Sequence, residues 1–144
     1  MAIEKAKPSR EEIKENAQLR MEEDIANWKK LYNEHIDKDM LDEDGYPTDD
    51  ALIIVENWYW NDPKGWFEFI KSLWHLSSWG WGEGEEPHDW RKDEMCYRYH
   101  ISTAGWSGNE AIIHAMQKND WMWHLNWVQS RRGGHYIFEL KEIT

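Results

Sequence analysis

The sequence predicts an α+β protein in which N-terminal helices precede a β-α-β-β unit with an antiparallel sheet. Apolar residues recur at helical spacing in the first half of the chain, and from Met95 onwards they alternate with polar residues, as in strands. Glycine-rich stretches lie beside the alternating segments and can form their turns. The length of 144 residues predicts a single domain, residues 1–144, with a tryptophan-rich core over 51–144.

The first predicted element is an amphipathic helix over residues 10–35. Ser9 can cap its first turn, where Glu11 and Glu12 suit the positive end of the helix dipole. One narrow apolar stripe follows at helical spacing: Ile13, Ala17, Met21, Ile25, Trp28 and Tyr32. The other faces are charged, so this helix is expected either to pack across a sheet or to mediate self-association.

Residues 37–50 are predicted to form an acidic loop. The segment 42–45 suggests a calcium-binding EF-hand loop, but the alignment that fits it puts Met40 at the first ligand position and Ala51 at the last. Neither side chain can ligate calcium. The loop is therefore expected to be a solvated turn.

Two shorter helices are predicted next. Thr48 caps a helix over residues 49–59, and an Asp-Pro step at Pro63 opens a third helix. The apolar side of the third helix holds Trp66, Phe67, Ile70 and Trp74. Residues 79–84 are predicted to be irregular or a strand end, and residues 83–89 are predicted to be a loop.

The predicted sheet has three strands. Residues 95–102 alternate in polarity and form the first strand, which a helix over about 108–118 follows. Residues 121–127 alternate again, with Trp121, Trp123, Leu125 and Trp127 on one side, and are predicted to be the second strand. A hairpin turn at 131–134, whose glycines can take positive φ, leads into a third strand over 135–143.

Tryptophan is the most unusual feature of the composition. The chain has twelve tryptophans, and eleven of them lie between Trp58 and Trp127. A bulky aromatic core accounts for most single tryptophans, but burying every indole N–H with a partner is difficult. We therefore expect two or three of the set to line a pocket or an interface.

The charge and the cysteine content exclude several classes of protein. A net charge of −11 argues against a nucleic-acid binder, which normally carries a basic face, although a small anion in a local basic site stays possible. The single cysteine, Cys96, excludes a disulfide framework and a thiolate zinc site, and it is interpreted as a buried small hydrophobe. No signal peptide or membrane-length apolar run is present, so a cytoplasmic location is expected and no membrane partner is predicted.

Segment 102–110 is the first candidate site. A strand runs into a glycine-rich turn that opens a helix, where free N–H groups favour an anion. Ser102, Thr103 and Ser107 add hydroxyls, and Trp106 offers a stacking surface. Neither a Walker A loop nor a GxGxxG fingerprint is present. The alternative interpretation is structural: Ser107 caps the helix and Glu110 completes a capping box.

Segment 130–136 is the second candidate site. Arg131 and Arg132 provide forked donors that suit phosphate or carboxylate, or else they form a solvated hairpin tip. The sequence leaves open whether this hairpin and the 102–110 turn lie on one side of the sheet or at opposite ends. If they converge, Trp106 can stack on the base of a nucleotide-like ligand, and Arg131 or Arg132 can bind its phosphate.

The motifs STAGWSGNE at 102–110 and SRRGGHY at 130–136 belong to a stretch, residues 101–139, that resembles a family of small bacteriophage proteins. The family carries no established activity. The resemblance implies an accessory phage protein in a bacterial cytoplasm, and such proteins often antagonise host defence, including by sequestering nucleotide immune signals. The matched residues predicted to bind the ligand are Ser102, Thr103, Gly105, Trp106, Ser107, Gly108, Asn109, Arg131, Arg132, His135 and Tyr136.

The predicted function is non-enzymatic sequestration of a small nucleotide-derived anion by a homo-oligomer. No cofactor or metal is predicted, because HExxH is absent and no two histidines lie four residues apart on a helix. One alternative is an acidic inhibitor of a host protein that mimics nucleic acid, since residues 1–50 carry a net charge of −7. Another is a two-histidine phosphodiesterase, because His75 and His100 each stand in an H-x-S motif.

Overall fold

A computed structural model of the protein describes residues 6–141. The α+β prediction is confirmed: helices at the N-terminal end precede an antiparallel sheet with the strand order β1-β2-β4-β3. The helices are α1 (Arg10–Ile36), α2 (Asp49–Asn57), α3 (Pro63–Leu73), α4 (Ser77–Gly80), α5 (Ser107–Lys118) and α6 (Asp120–Asn126). The strands are β1 (Trp81–Pro87), β2 (Met95–Ser102), β3 (Trp127–Arg131) and β4 (His135–Glu139).

The first three helices begin where their capping residues predict. Ser9 Oγ accepts a hydrogen bond from the Glu12 N–H at 3.1 Å, and Thr48 Oγ1 accepts one from Ala51 at 3.3 Å. An Asp62 carboxylate oxygen accepts the corresponding bond at the start of α3, where Pro63 is the first helical residue. These side chains pair backbone donors that the helix itself leaves free.

Only the C-terminal part of α1 packs on the rest of the protein. Residues 10–24 are exposed throughout, whereas Trp28 and Tyr32 contact the ring of Trp58 at the end of α2. The apolar stripe of α1 therefore packs on α2, not across the sheet. Ile13 and Met21, at the other end of the stripe, stay exposed.

The strand predicted over 121–127 is wrong: this stretch is helix α6, and β3 begins only at Trp127. Asn119 caps α6, and Met122 and Asn126, one turn apart, are its buried residues. The alternating tryptophans resemble a strand pattern. In a strand with Trp121 and Trp123 on its inner face, Met122 would point outward. Met122 is instead fully buried. Trp121 points to solvent instead and is 69 % exposed.

The loop predicted over 83–89 is also wrong for most of its length, because Trp81–Pro87 form a fourth strand. This strand pairs with β2 from Trp81 opposite Ile101 to Pro87 opposite Met95. Glycine and proline lower the strand propensity of this segment, and an edge strand tolerates both. The third predicted strand ends at Glu139, and residues 142 and 143 of that prediction lie outside the described residues.

The helices cover one face of the sheet. Phe67 of α3 stacks on Tyr99 of β2 with 4.1 Å between ring centroids, and Trp123 of α6 meets Phe138 of β4 edge-on at 5.3 Å. Because side chains alternate along a strand, Arg98, His100 and Ser102 of β2 point to the opposite face. We call this the outer face of the sheet.

The tryptophans divide between the core and the surface. Trp66, Trp74 and Trp81 are buried, and each of their indole N–H groups donates a hydrogen bond to an oxygen atom of the protein. The most exposed are Trp79, Trp90, Trp121 and Trp127. The others are half-buried: Trp28, Trp58, Trp60, Trp106 and Trp123.

Candidate functional site

The glycine-rich turn and the arginine hairpin converge at one end of the sheet. The Thr103 N–H donates a hydrogen bond to the Gly134 carbonyl at 3.0 Å, and Ser102 Oγ lies 2.7 Å from Nδ1 of His135. Gly134 has a φ of +78°, and a Cβ atom there would collide with Thr103 Oγ1. The alternative with the two segments at opposite ends of the sheet is therefore excluded.

Asn109 is buried and holds the turn from inside. Its side-chain oxygen accepts a hydrogen bond from the His75 N–H at 3.0 Å, and its amide group donates to the His75 carbonyl at 3.1 Å and the Thr103 carbonyl at 3.4 Å. Thr103 and Gly108 are buried as well. Asn109 thus joins the segments around 75 and 103, and these three residues of the predicted ligand set are buried in the protein.

Trp106 packs against its neighbours. Its ring centroid lies 4.6 Å from that of Tyr46 and 4.4 Å from that of His75. A Cβ atom at Gly108 would collide with its six-membered ring, so the backbone of α5 also touches the indole. A nucleobase would compete with these contacts to stack on Trp106.

The capping box predicted for α5 does not form. Ser107 is the first residue of the helix, the N-cap residue is Trp106, and no side chain caps it. The Ser107 hydroxyl is exposed and lies 3.4 Å from the Tyr46 hydroxyl. Gly105 takes a positive φ of +71° in the turn, and its N–H donates a hydrogen bond to Thr103 Oγ1.

Three predicted residues meet on the outer face in one row across three strands. Ser102 of β2 is directly opposite His135 of β4, which is directly opposite Arg131 of β3. Residues paired in this way point to the same face of an antiparallel sheet. Tyr136, the next residue, points to the helical side, where its ring lies 6.1 Å from that of Trp123.

Two further residues complete this site. His100 lies on β2 with its ring centroid 6.0 Å from that of His135, and its Nε2 atom is 2.6 Å from a carboxylate oxygen of Glu86 on β1. We call Glu86, His100, Ser102, Arg131 and His135 the outer-face cluster. Glu86 lies inside the segment predicted to be a loop, and no local pattern marks it, because β1 forms by pairing with β2.

The electrostatics of the outer-face cluster favour a neutral His135 beside a free cation. Partial burial, followed by the charges of His100 and Arg131, holds the pKa of His135 below its usual value of 6.5. Glu86 lies 3.8 Å from the Arg98 guanidinium, which forms a closer ion pair with Asp89 at 2.8 Å. Within residues 6–141, no carboxylate forms an ion pair with Arg131 or with its neighbour Arg132 in the hairpin turn.

The outer-face cluster can therefore donate several hydrogen bonds to an anion. When the Ser102 hydroxyl donates to Nδ1, the neutral His135 ring carries its proton on Nε2 and can donate it outward. Arg131 adds a planar fork of N–H groups that matches phosphate or carboxylate. Two imidazoles side by side can also act as an acid and a base.

Comparison with known proteins does not assign this site. No protein-family model, curated protein or solved structure matches the chain. In the part of the chain that the structure describes, no helix is long and apolar enough to cross a membrane. The same residues include no group of three or more histidine, cysteine, aspartate or glutamate side chains arranged to hold a metal ion.

Proposed function

We propose that the protein binds a small phosphate-bearing ligand, of the kind derived from nucleotides, on the outer face of its sheet and holds it without turnover. The observation that carries this proposal is the row Arg131, His135 and Ser102 across three adjacent strands. The row contains an arginine without a carboxylate partner among the described residues, in a chain of net charge −11. A phosphate group would supply the missing counter-charge.

Each residue of the row has a distinct role in this proposal. Arg131 neutralises the phosphate and grips two of its oxygens. His135 donates from Nε2, and Ser102 fixes that ring through the 2.7 Å contact with Nδ1. The Trp106 ring is already packed against Tyr46 and His75, so it is not free to stack on a base. The proposed site therefore recognises the phosphate group of the ligand.

The two arginines of the hairpin are expected to differ in importance. Arg131→Ala should weaken binding of a phosphodiester probe, such as a cyclic dinucleotide, by about tenfold or more, because a charge-assisted bidentate contact is lost. Arg132→Ala is the matched control: this residue lies in the turn, outside the row, and its replacement should change the affinity less than about twofold. Calorimetric titration measures both. Equal losses in the two variants would contradict the assignment of Arg131 to the site.

The affinity is expected to rise as the pH falls. His135 is neutral at pH 7, and protonation turns it into a second cation facing the phosphodiester, whose own charge does not change between pH 5 and 8. Ligand binding should therefore raise the pKa of His135, and Arg131→Ala should also raise it by removing a neighbouring cation. NMR titration of the His135 ring measures both pKa shifts. The other ionisable groups nearby are His100 and Glu86. A His135 pKa that the probe leaves unchanged would argue against contact.

The lowered pKa of His135 also makes the stability of the folded protein depend on pH. Because the pKa of His135 is lower in the folded chain, the unfolded chain binds the proton first, and the folded state loses stability as the pH falls below about 6.5. The bound ligand should reduce this loss.

A second candidate function is phosphodiester hydrolysis by His100 and His135. The specific observation is their ring separation of 6.0 Å, with Glu86 orienting one ring and Ser102 the other. The sequence paired His100 with His75 instead, but the His75 ring packs against Trp106 with 4.4 Å between ring centroids. Mass spectrometry of a cyclic dinucleotide after incubation separates the two proposals: an intact ligand supports sequestration, and cleavage that His100→Ala abolishes supports the enzyme.

The biological setting is inferred from the resemblance. We infer an accessory phage protein that sequesters a host nucleotide signal in the bacterial cytoplasm. Self-association remains part of this proposal, and the exposed residues Ile13 and Met21 on the apolar stripe of α1 support it.

A further inference from the structure

A cleft of about 630 Å³ lies between α1, the end of α2 and the junction of α5 with α6. Five of its lining residues are aromatic: Trp28, Trp58, Tyr59, Trp60 and Trp121. The volume falls within the usual range for small-molecule sites, roughly 300–1,000 Å³. None of these residues belongs to the outer-face cluster.

The lining of this aromatic cleft is negatively charged. Asp24, Glu56 and Asp120 contribute three carboxylates, and Lys118 contributes the one cation. The Lys118 ammonium lies 3.5 Å from Glu56, which leaves Asp24 and Asp120 without a basic partner in the lining. An anionic ligand would be repelled by these carboxylates, whereas a cation would be attracted both by them and by the negative faces of the indole rings.

The inner aromatic walls, Trp28 and Trp58, are fixed in place before any ligand arrives. The Trp58 indole N–H donates a hydrogen bond to the Asp62 carbonyl at 2.9 Å, and its ring lies 5.1 Å from that of Trp28. The buried Asn119 amide donates to the carbonyls of Val55 and Trp58 at 3.1 Å each, so it ties the start of α6 to the end of α2. A cleft with rigid walls loses little conformational entropy on binding.

We propose that the aromatic cleft binds a small organic ammonium ion, with its alkyl or methyl groups against the tryptophan faces and its charge beside Asp24 and Asp120. A hard metal cation is disfavoured because it requires several oxygen ligands, and the described residues hold no such group. A weakly hydrated organic ammonium ion can interact with the aromatic rings and with the carboxylates at the same time. Trp121 is the wall that a ligand would cover, since it is 69 % exposed.

The first test compares choline with its uncharged isostere, in which a tert-butyl group replaces trimethylammonium. Tryptophan fluorescence and calorimetry should show that the wild-type protein binds choline about tenfold more tightly than the isostere, because the shape is the same and only the charge differs. Spermidine is titrated in parallel. If it binds more tightly than choline, the preferred ammonium is a polyamine; the reverse order identifies a quaternary ammonium. If neither cation binds more tightly than the isostere, the proposal is overturned.

The second test locates the site with matched variants. Trp121→Ala should weaken binding of the better cation by about tenfold, and Asp120→Asn by a few-fold. Trp79→Ala is the control, because Trp79 is 71 % exposed, close to the 69 % of Trp121, and does not line the cleft. Both tryptophans are exposed, so neither replacement removes core packing, and circular dichroism checks the fold. Unchanged affinity in Trp121→Ala, or an equal loss in Trp79→Ala, would overturn the proposed location.

Discussion

Asn109→Ala is expected to lower the free energy of unfolding by about 3 kcal/mol, because it leaves buried backbone groups without partners. The amide side chain is 1 % exposed and makes three hydrogen bonds, to both backbone groups of His75 and to the Thr103 carbonyl. Water cannot reach these groups to replace the lost bonds without opening the structure. Equilibrium unfolding in urea, followed by circular dichroism, measures the change.

Asn57→Ala serves as the control for this prediction. The Asn57 amide donates one hydrogen bond to the Ile53 carbonyl at 2.8 Å on the exposed side of α2. Its loss should change the stability by less than about 1 kcal/mol, since water can solvate both groups. If Asn109→Ala destabilises the protein no more than Asn57→Ala does, Asn109 does not hold the turn, and its predicted role in ligand binding regains support.

The sequence predicted the helical half of the fold well because the signals there are local. The capping bonds of Ser9, Thr48 and Asp62 each join residues three positions apart, so sequence spacing alone locates them. The errors at α6 and β1 have the opposite cause. Strand β1 exists because β2 pairs with it, and α6 buries Met122 against elements that are distant in sequence. Local propensity does not contain that information.

The candidate site was predictable only in part, for a similar reason. The motifs pointed to the turn and the hairpin, and the register of β2, β3 and β4 then selected Ser102, His135 and Arg131 from them. The packing of Trp106 depends on Tyr46 and His75, which come from two remote loops. The aromatic cleft likewise combines three segments, around residues 28, 58 and 121, so the tryptophan count can suggest a pocket or an interface but not the residues that line it.

Gly134→Ala is expected to destabilise the protein by about 3 kcal/mol, because a methyl group there adds a collision to an unfavourable backbone conformation. Gly134 has a φ of +78°, and its Cβ would meet the buried hydroxyl of Thr103. Relief of the collision would push the hairpin away from the turn and separate Ser102 from His135. Thermal unfolding measures the stability, and titration of the phosphodiester probe measures the site.

Gly133→Ala separates the two contributions to this effect. Gly133 has a φ of +92° in the same hairpin, and a Cβ atom there has no neighbour within 4 Å. Gly133→Ala should lower the stability of the protein through backbone strain alone, by about 1–2 kcal/mol. It should leave the affinity for the phosphodiester probe unchanged. The difference between the two variants therefore measures how closely the hairpin and the turn are packed. If the two variants lose the same stability and bind the probe equally well, contact between Gly134 and Thr103 does not hold Ser102, His135 and Arg131 in their row.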